Sequence, residues 1–205
     1  MLVKTFSSSI IGITGYIITI EVNIEIGINF YMVGLPDNSV KESQQRIRKA
    51  IINNKLKFPG KEITINMAPA NLKKEGAHFD LSIAIGILAS SNQLNTSKLK
   101  QYVIVGELSL DGTVQKSKGV LAMAIAARKN GFEGIILPAE NLMEVSLIDN
   151  LKVIGVNSLV DVVDFFNNTN HRVLLKKETL KNKDDIFKPD FKDVKGQKYA
   201  KRAFE

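Results

Sequence analysis

Residues 67–91 read MAPANLKKEGAHFDLSIAIGILASS, a pattern that predicts the end of a strand, a polar loop and then a long apolar helix. The loop ANLKKEGAHFD contains a glycine and leads directly into the helix. A loop in this position presents free backbone N–H groups and the positive end of the helix dipole. We therefore expect any binding or catalytic site to lie here, with Asp80 as the residue that caps the helix.

Four strands and one helix are predicted in the residues that precede this loop. Leu2–Phe6 and Ile17–Ile26 have the alternation of apolar and polar residues that is typical of half-buried strands. Asn29–Val33 is a third strand, and Gly27 indicates that it forms a hairpin with the second. Glu62–Met67 alternates in the same way and leads into the central loop.

The helix that follows Val33 is predicted from a capping box, because Ser39 and Glu42 have the S-x-x-E spacing. Its apolar stripe is narrow and its other side is basic. The basic side chains expected to face water are Lys41, Arg46, Arg48, Lys49 and Lys55. Two interpretations are open, namely a solvated helix face, which is the commoner case, and a stripe that binds phosphate groups.

The second half of the sequence alternates between strands and helices. Tyr102–Leu108 is predicted to be a buried strand, Asp111-Gly112 predicts a tight hairpin, and a helix covers Gly119–Asn130. The later predicted elements are a strand at Gly134–Leu137, a helix from Pro138 to about Leu147, a strand at Lys152–Gly155 and a helix at Ser158–Asn167. Together with the first half, this order predicts an α+β domain with a mixed sheet over residues 1–167.

Residues 168–205 have a different composition. The run Asn167-Asn168-Thr169-Asn170 begins a charged connector, which we expect to be a linker over residues 168–189. The segment DFKDVKGQKYAKRAFE at 190–205 predicts a helix whose alanines and phenylalanine are available for burial. We expect this segment to be the beginning of a further module.

The net charge of +7 is unevenly distributed along the chain. Residues 168–205 carry 11 Lys+Arg and 6 Asp+Glu, whereas residues 1–167 carry 17 and 15. The domain is therefore close to neutral as a whole. For this reason the high pI is weak evidence for a DNA-binding face on the domain.

The composition is that of a soluble globular protein, with 44% apolar and 24% charged residues in 205. The sequence has no cysteine, which excludes disulfides and thiolate metal sites. It has no run of about 18 apolar residues that could span a bilayer. We expect a cytoplasmic location and no membrane partner.

Several common catalytic sites are excluded by their motifs. The pattern G-x-x-x-x-G-K-[ST] of a phosphate-binding loop does not occur, so these residues alone should not hydrolyse ATP. The two histidines, His78 and His171, are far apart and lack carboxylates at helical spacing, which argues against a zinc or Ser-His-Asp site. The S-x-x-K match at Ser97–Lys100 has no accompanying motif.

The central loop, followed later by the hairpin segment GELSLDGTVQKSKGVLAMAIAARKNG, resembles the proteolytic domain of Lon-type proteases. The resemblance implies the fold of the second domain of ribosomal protein S5, a four-stranded sheet with helices on one side. In Lon the loop reads D-G-P-S-A-G and supplies a serine nucleophile, and P-I-G-G-L-K after the hairpin supplies a lysine base. Here the serine position falls on His78 and the lysine position on Leu121.

A Ser-Lys dyad needs a desolvated lysine that can take the proton of the serine. Neither group is present at the matching positions, so we expect the domain to keep the shape of the protease without its catalysis. One alternative is an active peptidase with a rearranged dyad of Ser82 and Lys118.

A closer resemblance covers essentially the whole chain. The segments that carry it are, in order, VGLPDNSVKESQQRIRKAI, ITINMAPANLKKEGAHFDLSIAIGIL, VGELSLDGTVQKSKGVLAMAIAARKNG and IILPAENLMEV. They resemble the N-terminal region of the YifB/ComM family, the magnesium-chelatase-like AAA+ ATPases of bacteria. Residues 190–205 resemble the opening of that family's ATPase module, and Gly196 and Gln197 are then expected near the nucleotide base.

This resemblance implies a hexameric ATP-driven motor acting on DNA, with ComM associated with branch migration during natural transformation. ATP and Mg²⁺ are then expected for a full-length protein, and no cofactor for these residues. The expected partners are its own AAA+ module, neighbouring subunits of the ring and DNA. Lys73, Lys74, Lys116 and Lys118 are the candidate contacts to nucleic acid or a partner, and simply solvated lysines are the alternative. A stand-alone nucleic-acid-binding module is a further alternative.

Overall fold

A computed structural model describes residues 2–169 and 196–204 of the chain. The strands are β1 (Leu2–Ile11), β2 (Thr14–Glu25), β3 (Phe30–Val33), β4 (Glu62–Ala68), β5 (Tyr102–Ile104), β6 (Glu107–Leu108), β7 (Val114–Gln115), β8 (Gly134–Pro138) and β9 (Lys152–Val156). The helices are α1 (Asn38–Asn53), α2 (Asp80–Ser90), α3 (Val120–Lys129), α4 (Leu142–Val145), α5 (Leu159–Asn167) and α6 (Lys198–Phe204). Short 3-10 turns at Ala77–Phe79, Leu99–Gln101 and Ala139–Asn141 precede α2, β5 and α4.

Seven strands form one mixed sheet in the order β3-β4-β2-β1-β5-β8-β9. The pairs β1–β2 and β2–β4 are antiparallel, and the pairs β3–β4, β1–β5, β5–β8 and β8–β9 are parallel. The strands β6 and β7 form a separate two-stranded hairpin. The prediction of an α+β fold with a mixed sheet is confirmed.

Helices cover both faces of the sheet, because alternate residues of its central strands point into two apolar clusters. Helices α1, α2 and α5 pack into the larger cluster, with Tyr102 and Ile104 of β5. Helices α3 and α4 pack into the smaller one, with Val103 of the same strand. The S5-like arrangement, expected to have helices on one side of four strands, is thus extended here by the βα units of the second half.

Helix α2 is apolar all round because it is enclosed on all sides. Each of its residues is buried, from Asp80 to Ser90. Gly86 lets the helix approach the sheet, since a Cβ at this position would lie 2.7 Å from Cγ2 of Val22. Burial of this helix accounts for a large share of the hydrophobic stabilisation of the domain.

Two predictions about the first strands are wrong. The first strand does not end at Phe6 but continues to Ile11, and it pairs with β2 from Leu2 to Ile11 through a tight turn at Gly12. Residues 30–33 do not form a hairpin with β2, because β4 pairs with that edge of β2 from Thr19 to Glu25. The segment β3 instead lies parallel to β4 at the edge of the sheet.

Three smaller boundaries also differ from the prediction. The N-cap of α1 is Asp37, whose carboxylate accepts a hydrogen bond from the Val40 N–H at 2.8 Å, so the box at Ser39 and Glu42 does not begin the helix. The predicted strand over 102–108 is interrupted at Gly106, whose N–H donates to the His78 carbonyl at 2.8 Å. The helix predicted to reach Leu147 ends at Val145.

Helix α5 ends at Asn167, where we predicted the end of the domain. The predicted linker at 168–189 lies outside the described residues except for Asn168 and Thr169. Helix α6 agrees with the helix predicted within residues 190–205. In the described part of the chain, no helix combines the length and the apolar character that crossing a bilayer requires.

Candidate functional site

The central loop between β4 and α2 is fastened to the turn that precedes α1. The Lys74 N–H donates to the Leu35 carbonyl at 3.2 Å, and the Asp37 N–H donates to the Lys74 carbonyl at 3.0 Å. The second carboxylate oxygen of Asp37 accepts from the Gly76 N–H at 3.3 Å. Asp37 therefore caps α1 and holds the loop with one side chain, so the loop has a defined conformation.

The two adjacent lysines of this loop have different environments. Lys73 is exposed and its ammonium lies 2.6 Å from the Glu75 carboxylate. Lys74 is fully buried, and its ammonium donates to the Pro69 carbonyl within the loop itself. Burial lowers the pKa of Lys74. The expectation that Lys73 and Lys74 present a pair of charges at the surface is wrong, because Lys74 points inward.

The side chain at the protease's serine position is held as part of the structure. Nε2 of His78 lies 2.9 Å from the carbonyl oxygen of Ser8, and the ring packs against Phe79 with centroids 4.1 Å apart. Burial lowers the pKa of His78, which favours a neutral ring that donates to this carbonyl. Leu121, at the lysine position, is an apolar residue of α3 that is 44% exposed. The serine nucleophile and the lysine base of the protease are therefore both absent from these two positions.

The rearranged dyad of Ser82 and Lys118 does not form. The Ser82 hydroxyl is fully buried in α2 and donates to the Phe79 carbonyl at 2.8 Å. Lys118 is exposed and precedes α3 on the other face of the sheet. A hydroxyl that already donates within its own helix, with no base beside it, is not activated for attack.

An ion pair that the sequence did not reveal lies at the beginning of α2. The Asp80 carboxylate is fully buried and accepts from Nε of Arg46 at 2.6 Å and from Nη2 at 3.1 Å. It also accepts from the Leu108 N–H at 3.3 Å, which joins the β6–β7 hairpin to the two helices. Burial raises the pKa of Asp80 to about 6, and the Arg46 guanidinium opposes that rise.

Two predictions are corrected by this pair. Asp80 does not cap α2 with its side chain, since it is the first helical residue and its carboxylate turns toward α1. Arg46 does not face water with the other basic residues of α1. The helical spacing contained a signal for this, because Arg46 lies between Ser43 and Ala50 on the border of the apolar stripe, and both of these are buried.

The other predicted contact residues lie on separate parts of the chain. Lys116 and Lys118 are exposed on either side of Ser117, whose backbone is held by the Asn141 amide at 2.9 Å. The Lys116 ammonium lies 3.6 Å from the Glu144 carboxylate. Within the described residues, no hydrogen bond or ion pair joins these two lysines to Lys73, and the two loops are anchored to different elements.

Gly196 and Gln197 are exposed and immediately precede α6, both with positive φ angles. In the described residues, no group of three or more His, Cys, Asp or Glu side chains is arranged to hold a metal ion.

Comparison with known proteins connects this geometry to a family. The family model described as subunit ChlI of Mg-chelatase matches residues 20–141, from β2 to the beginning of α4. Competence protein ComM of Haemophilus influenzae is 42% identical over 202 residues, which covers 97% of this chain and 40% of that protein. The uncharacterized protein YifB of Escherichia coli is 39% identical over 196 residues, with 95% and 38% covered. The chain belongs to the magnesium-chelatase-like YifB/ComM family.

The YifB/ComM chain also has a weaker similarity to Lon proteases. The archaeal Lon protease of Methanocaldococcus jannaschii is 29% identical over 121 residues, which covers 57% of this chain and 19% of that protein. This agrees with the S5-like sheet. The chain spans about two fifths of the length of its YifB/ComM relatives, 40% of ComM and 38% of YifB.

Proposed function

We propose that this chain is the non-catalytic N-terminal module of an ATP-driven motor that acts on DNA. The observation that carries the proposal is the pair of protease positions, where His78 is bonded to the Ser8 carbonyl and Leu121 replaces a base. A Lon-like domain without its dyad is suited to holding other parts of an assembly together. Its family supplies the rest of the proposal, because magnesium-chelatase-like proteins are AAA+ ATPases.

The module contributes contacts, and the force comes from an ATPase module outside these residues. The motor is a hexameric ring that uses ATP and Mg²⁺, with Gly196 and Gln197 near the nucleotide base. The role proposed for this motor is branch migration during natural transformation, and the Haemophilus influenzae relative is named a competence protein. Lys73, Lys116 and Lys118 are exposed and available to a neighbouring subunit or to DNA.

The test uses the full-length protein that contains this chain. We expect ATP hydrolysis that DNA stimulates, migration of a four-way DNA junction, and six subunits by light scattering in the presence of ATP. Hydrolysis that is absent, or indifferent to DNA, would contradict the motor.

A second assay addresses the peptidase alternative. Purified 205-residue chain is incubated with casein and with a serine-directed fluorophosphonate probe. We expect no cleavage and no labelling, because the Ser82 hydroxyl is buried and bonded within α2. Labelling that disappears in Ser82→Ala would restore the peptidase interpretation.

A further inference from the structure

The near-neutral charge of the domain conceals a strongly basic segment. Residues 38–61 carry seven Lys+Arg and one carboxylate, that of Glu42, whereas the rest of residues 1–167 carries ten Lys+Arg and fourteen Asp+Glu. The segment consists of α1 and the connection from α1 to β4. This segment therefore carries a net charge of +6 (7 − 1), and the rest of residues 1–167 carries −4 (10 − 14). Such a separation attracts polyanions to one side of a molecule that has little net charge.

Six of these cations are exposed, and in the described part of the chain none of them forms an ion pair. They are Lys41, Arg48, Lys49, Lys55, Lys57 and Lys61. The seventh, Arg46, forms an ion pair with Asp80. On α1, Lys41 and Arg48 lie on one line along the solvent side, because they are seven residues apart, with Lys49 beside them. We call these six residues the basic face.

A recess with a mixed polar and apolar lining lies within the basic face. It has a volume of about 320 Å³ and is lined by Ile28, Asn29, Phe30, Gln44, Arg48, Ile52, Phe58, Pro59, Gly60, Lys61 and Ile63. The guanidinium of Arg48 lies over the Phe58 ring, 5.4 Å from the centroid. This contact holds the planar Arg48 guanidinium against the Phe58 ring, and both groups line the recess. Glu62 is the neighbouring carboxylate, and it accepts a hydrogen bond from Asn29 at 3.2 Å.

A second recess lies on the other side of the ridge formed by Pro59, Gly60 and Lys61. It has a volume of about 410 Å³ and is lined by Lys57 and by Ser90–Gln93 at the end of α2. The two recesses therefore follow one another along the basic face, with Lys61 between them. Recesses that alternate with cations match the alternation of bases and phosphates in an unpaired strand.

We propose that the basic face binds single-stranded nucleic acid. Arg48, Lys49, Lys57 and Lys61 neutralise successive phosphates, and a base enters the recess against the Arg48 guanidinium and the Phe58 ring. An unpaired strand fits better than a duplex, because stacking on a guanidinium plane or an aromatic ring needs an exposed base. Carboxylate side chains alone would use the charges but would not occupy the recess beside the Arg48 guanidinium and the Phe58 ring. The proposal names a contact surface for the proposed DNA motor and therefore rests on that function.

The test measures fluorescence anisotropy of a labelled oligo-dT of 30 nucleotides with the purified 205-residue chain. We expect affinity to fall with salt with a log–log slope of about −3, since each phosphate neutralised on a single strand contributes about −0.7. The variant Arg48→Glu/Lys49→Glu should bind at least about tenfold more weakly at low salt. The matched control is Arg128→Glu/Lys129→Glu, which reverses an adjacent, exposed Arg–Lys pair at the end of α3, on the opposite side of the sheet, and should bind as the parent chain does.

A second variant separates base stacking from charge. Phe58→Leu keeps an apolar side chain and should weaken oligo-dT binding about fivefold, because one stacking contact is lost. It should leave binding of heparin, a polyanion without bases, unchanged. Circular dichroism confirms that each variant is folded.

Three results would overturn the proposal. They are an absence of binding at 20 mM salt, equal losses in the two charge-reversal variants, and polyglutamate that competes as well as the oligonucleotide. The last result would assign the face to an acidic protein.

If full-length Arg48→Glu/Lys49→Glu keeps the DNA-stimulated ATPase and parental DNA affinity, the basic face is wrong and the motor stands. If the parent shows no DNA-stimulated ATPase while the 205-residue chain binds oligo-dT through this face, the motor is wrong and the face stands.

Discussion

The Arg46–Asp80 ion pair joins α1 to α2 inside the larger apolar cluster. Its geometry is bidentate, with Nε and Nη2 of Arg46 at 2.6 and 3.1 Å from the two carboxylate oxygens. A buried pair of this kind contributes little net stability over an apolar pair, but loss of one partner leaves a charge without compensation. The pair therefore fixes how the two helices meet.

We predict that Arg46→Met lowers the free energy of unfolding by about 3 kcal/mol, because the Asp80 carboxylate remains buried and unpaired. The double variant Arg46→Met/Asp80→Leu should recover most of this loss, since both charges are removed. Urea unfolding followed by circular dichroism measures both values. If the free energy of unfolding of the single variant falls by less than about 1 kcal/mol, water must reach the Asp80 carboxylate, and the pair does not fix how α1 and α2 meet.

The same pair predicts a pH dependence with a definite sign. Because burial raises the pKa of Asp80 from 3.8 to about 6, the folded chain retains a proton that the unfolded chain releases between these values. The stability due to this group is therefore fully present below about pH 4 and is lost as the pH rises to about 6. Relative to Asp80→Asn, the free energy of unfolding of the parent chain should fall by about 2–3 kcal/mol between about pH 4 and about pH 6.

Carboxyl ¹³C NMR checks the origin of this effect. The Asp80 carbon should titrate with a midpoint near 6, and in Arg46→Met the midpoint should be higher still because the opposing cation is gone. A midpoint below about 4.5 would mean that the guanidinium outweighs burial.

The β6–β7 hairpin is an element whose turn is clamped by α1. Asn53 and Asn54, at the end of α1, donate to the Leu110 and Asp111 carbonyls at 2.7 and 2.8 Å. Gly112 has a φ of +89°, and a Cβ at this position would lie 2.1 Å from Nδ2 of Asn54. The Asp111-Gly112 pair was recognisable as a turn from the sequence, but its contact with α1 was not.

A pair of glycine substitutions tests this clamp. Gly131 also has a positive φ, +75°, yet nothing lies within 4 Å of a Cβ built on it. Gly131→Ala should therefore cost about 1 kcal/mol, from backbone strain alone. Gly112→Ala should cost at least about 2 kcal/mol, because the Asn54 bond is also broken. Thermal unfolding measures the difference, and equal costs would show that the hairpin turn is not clamped.

The edge strand β3 shows the limit of local patterns. Its residues alternate weakly, and Gly27 allows more than one direction for the chain. The partner is chosen by competition, since β4 pairs with β2 over seven residues and leaves only the outer edge of β4 for β3. A hairpin between consecutive strands is a reasonable expectation that a longer-range pairing overrides.

The apolar clusters of the domain extend from Val3 to Phe166, near the two ends of the first described range. Both faces of the sheet are covered from within this range. We therefore predict that a chain of residues 1–169 folds alone and unfolds in one cooperative transition, because the two clusters share the same strands. Differential scanning calorimetry checks this, and two resolved transitions would show that the clusters are independent.

The described domain also separates its charges in a way that the linear sequence shows only after the fold is known. Residues 38–61 are basic in the sequence, and the helical pattern predicts Arg46 among their solvated charges. The pattern of the central loop likewise predicts Lys74 as a surface charge. The fold removes both, and it brings Phe58 beneath Arg48. The positive surface that results therefore has fewer exposed charges than the sequence pattern indicated.

The sequence by itself determined the elements and the absence of the Lon dyad. Periodicity and turn residues act locally, so the α+β class, the hairpin at Asp111-Gly112 and the helices α2, α3 and α5 could be predicted. Aligned motifs likewise identified His78 and Leu121. Only the tertiary structure decided the partner of β3, the inward direction of Lys74 and the pairing of Arg46 with Asp80. The partner of β3 and the Arg46–Asp80 pair depend on groups distant in sequence that compete for one edge or one buried charge. Lys74 turns inward in a loop whose backbone is bonded to the turn before α1. Local spacing carries no information about these long-range contacts.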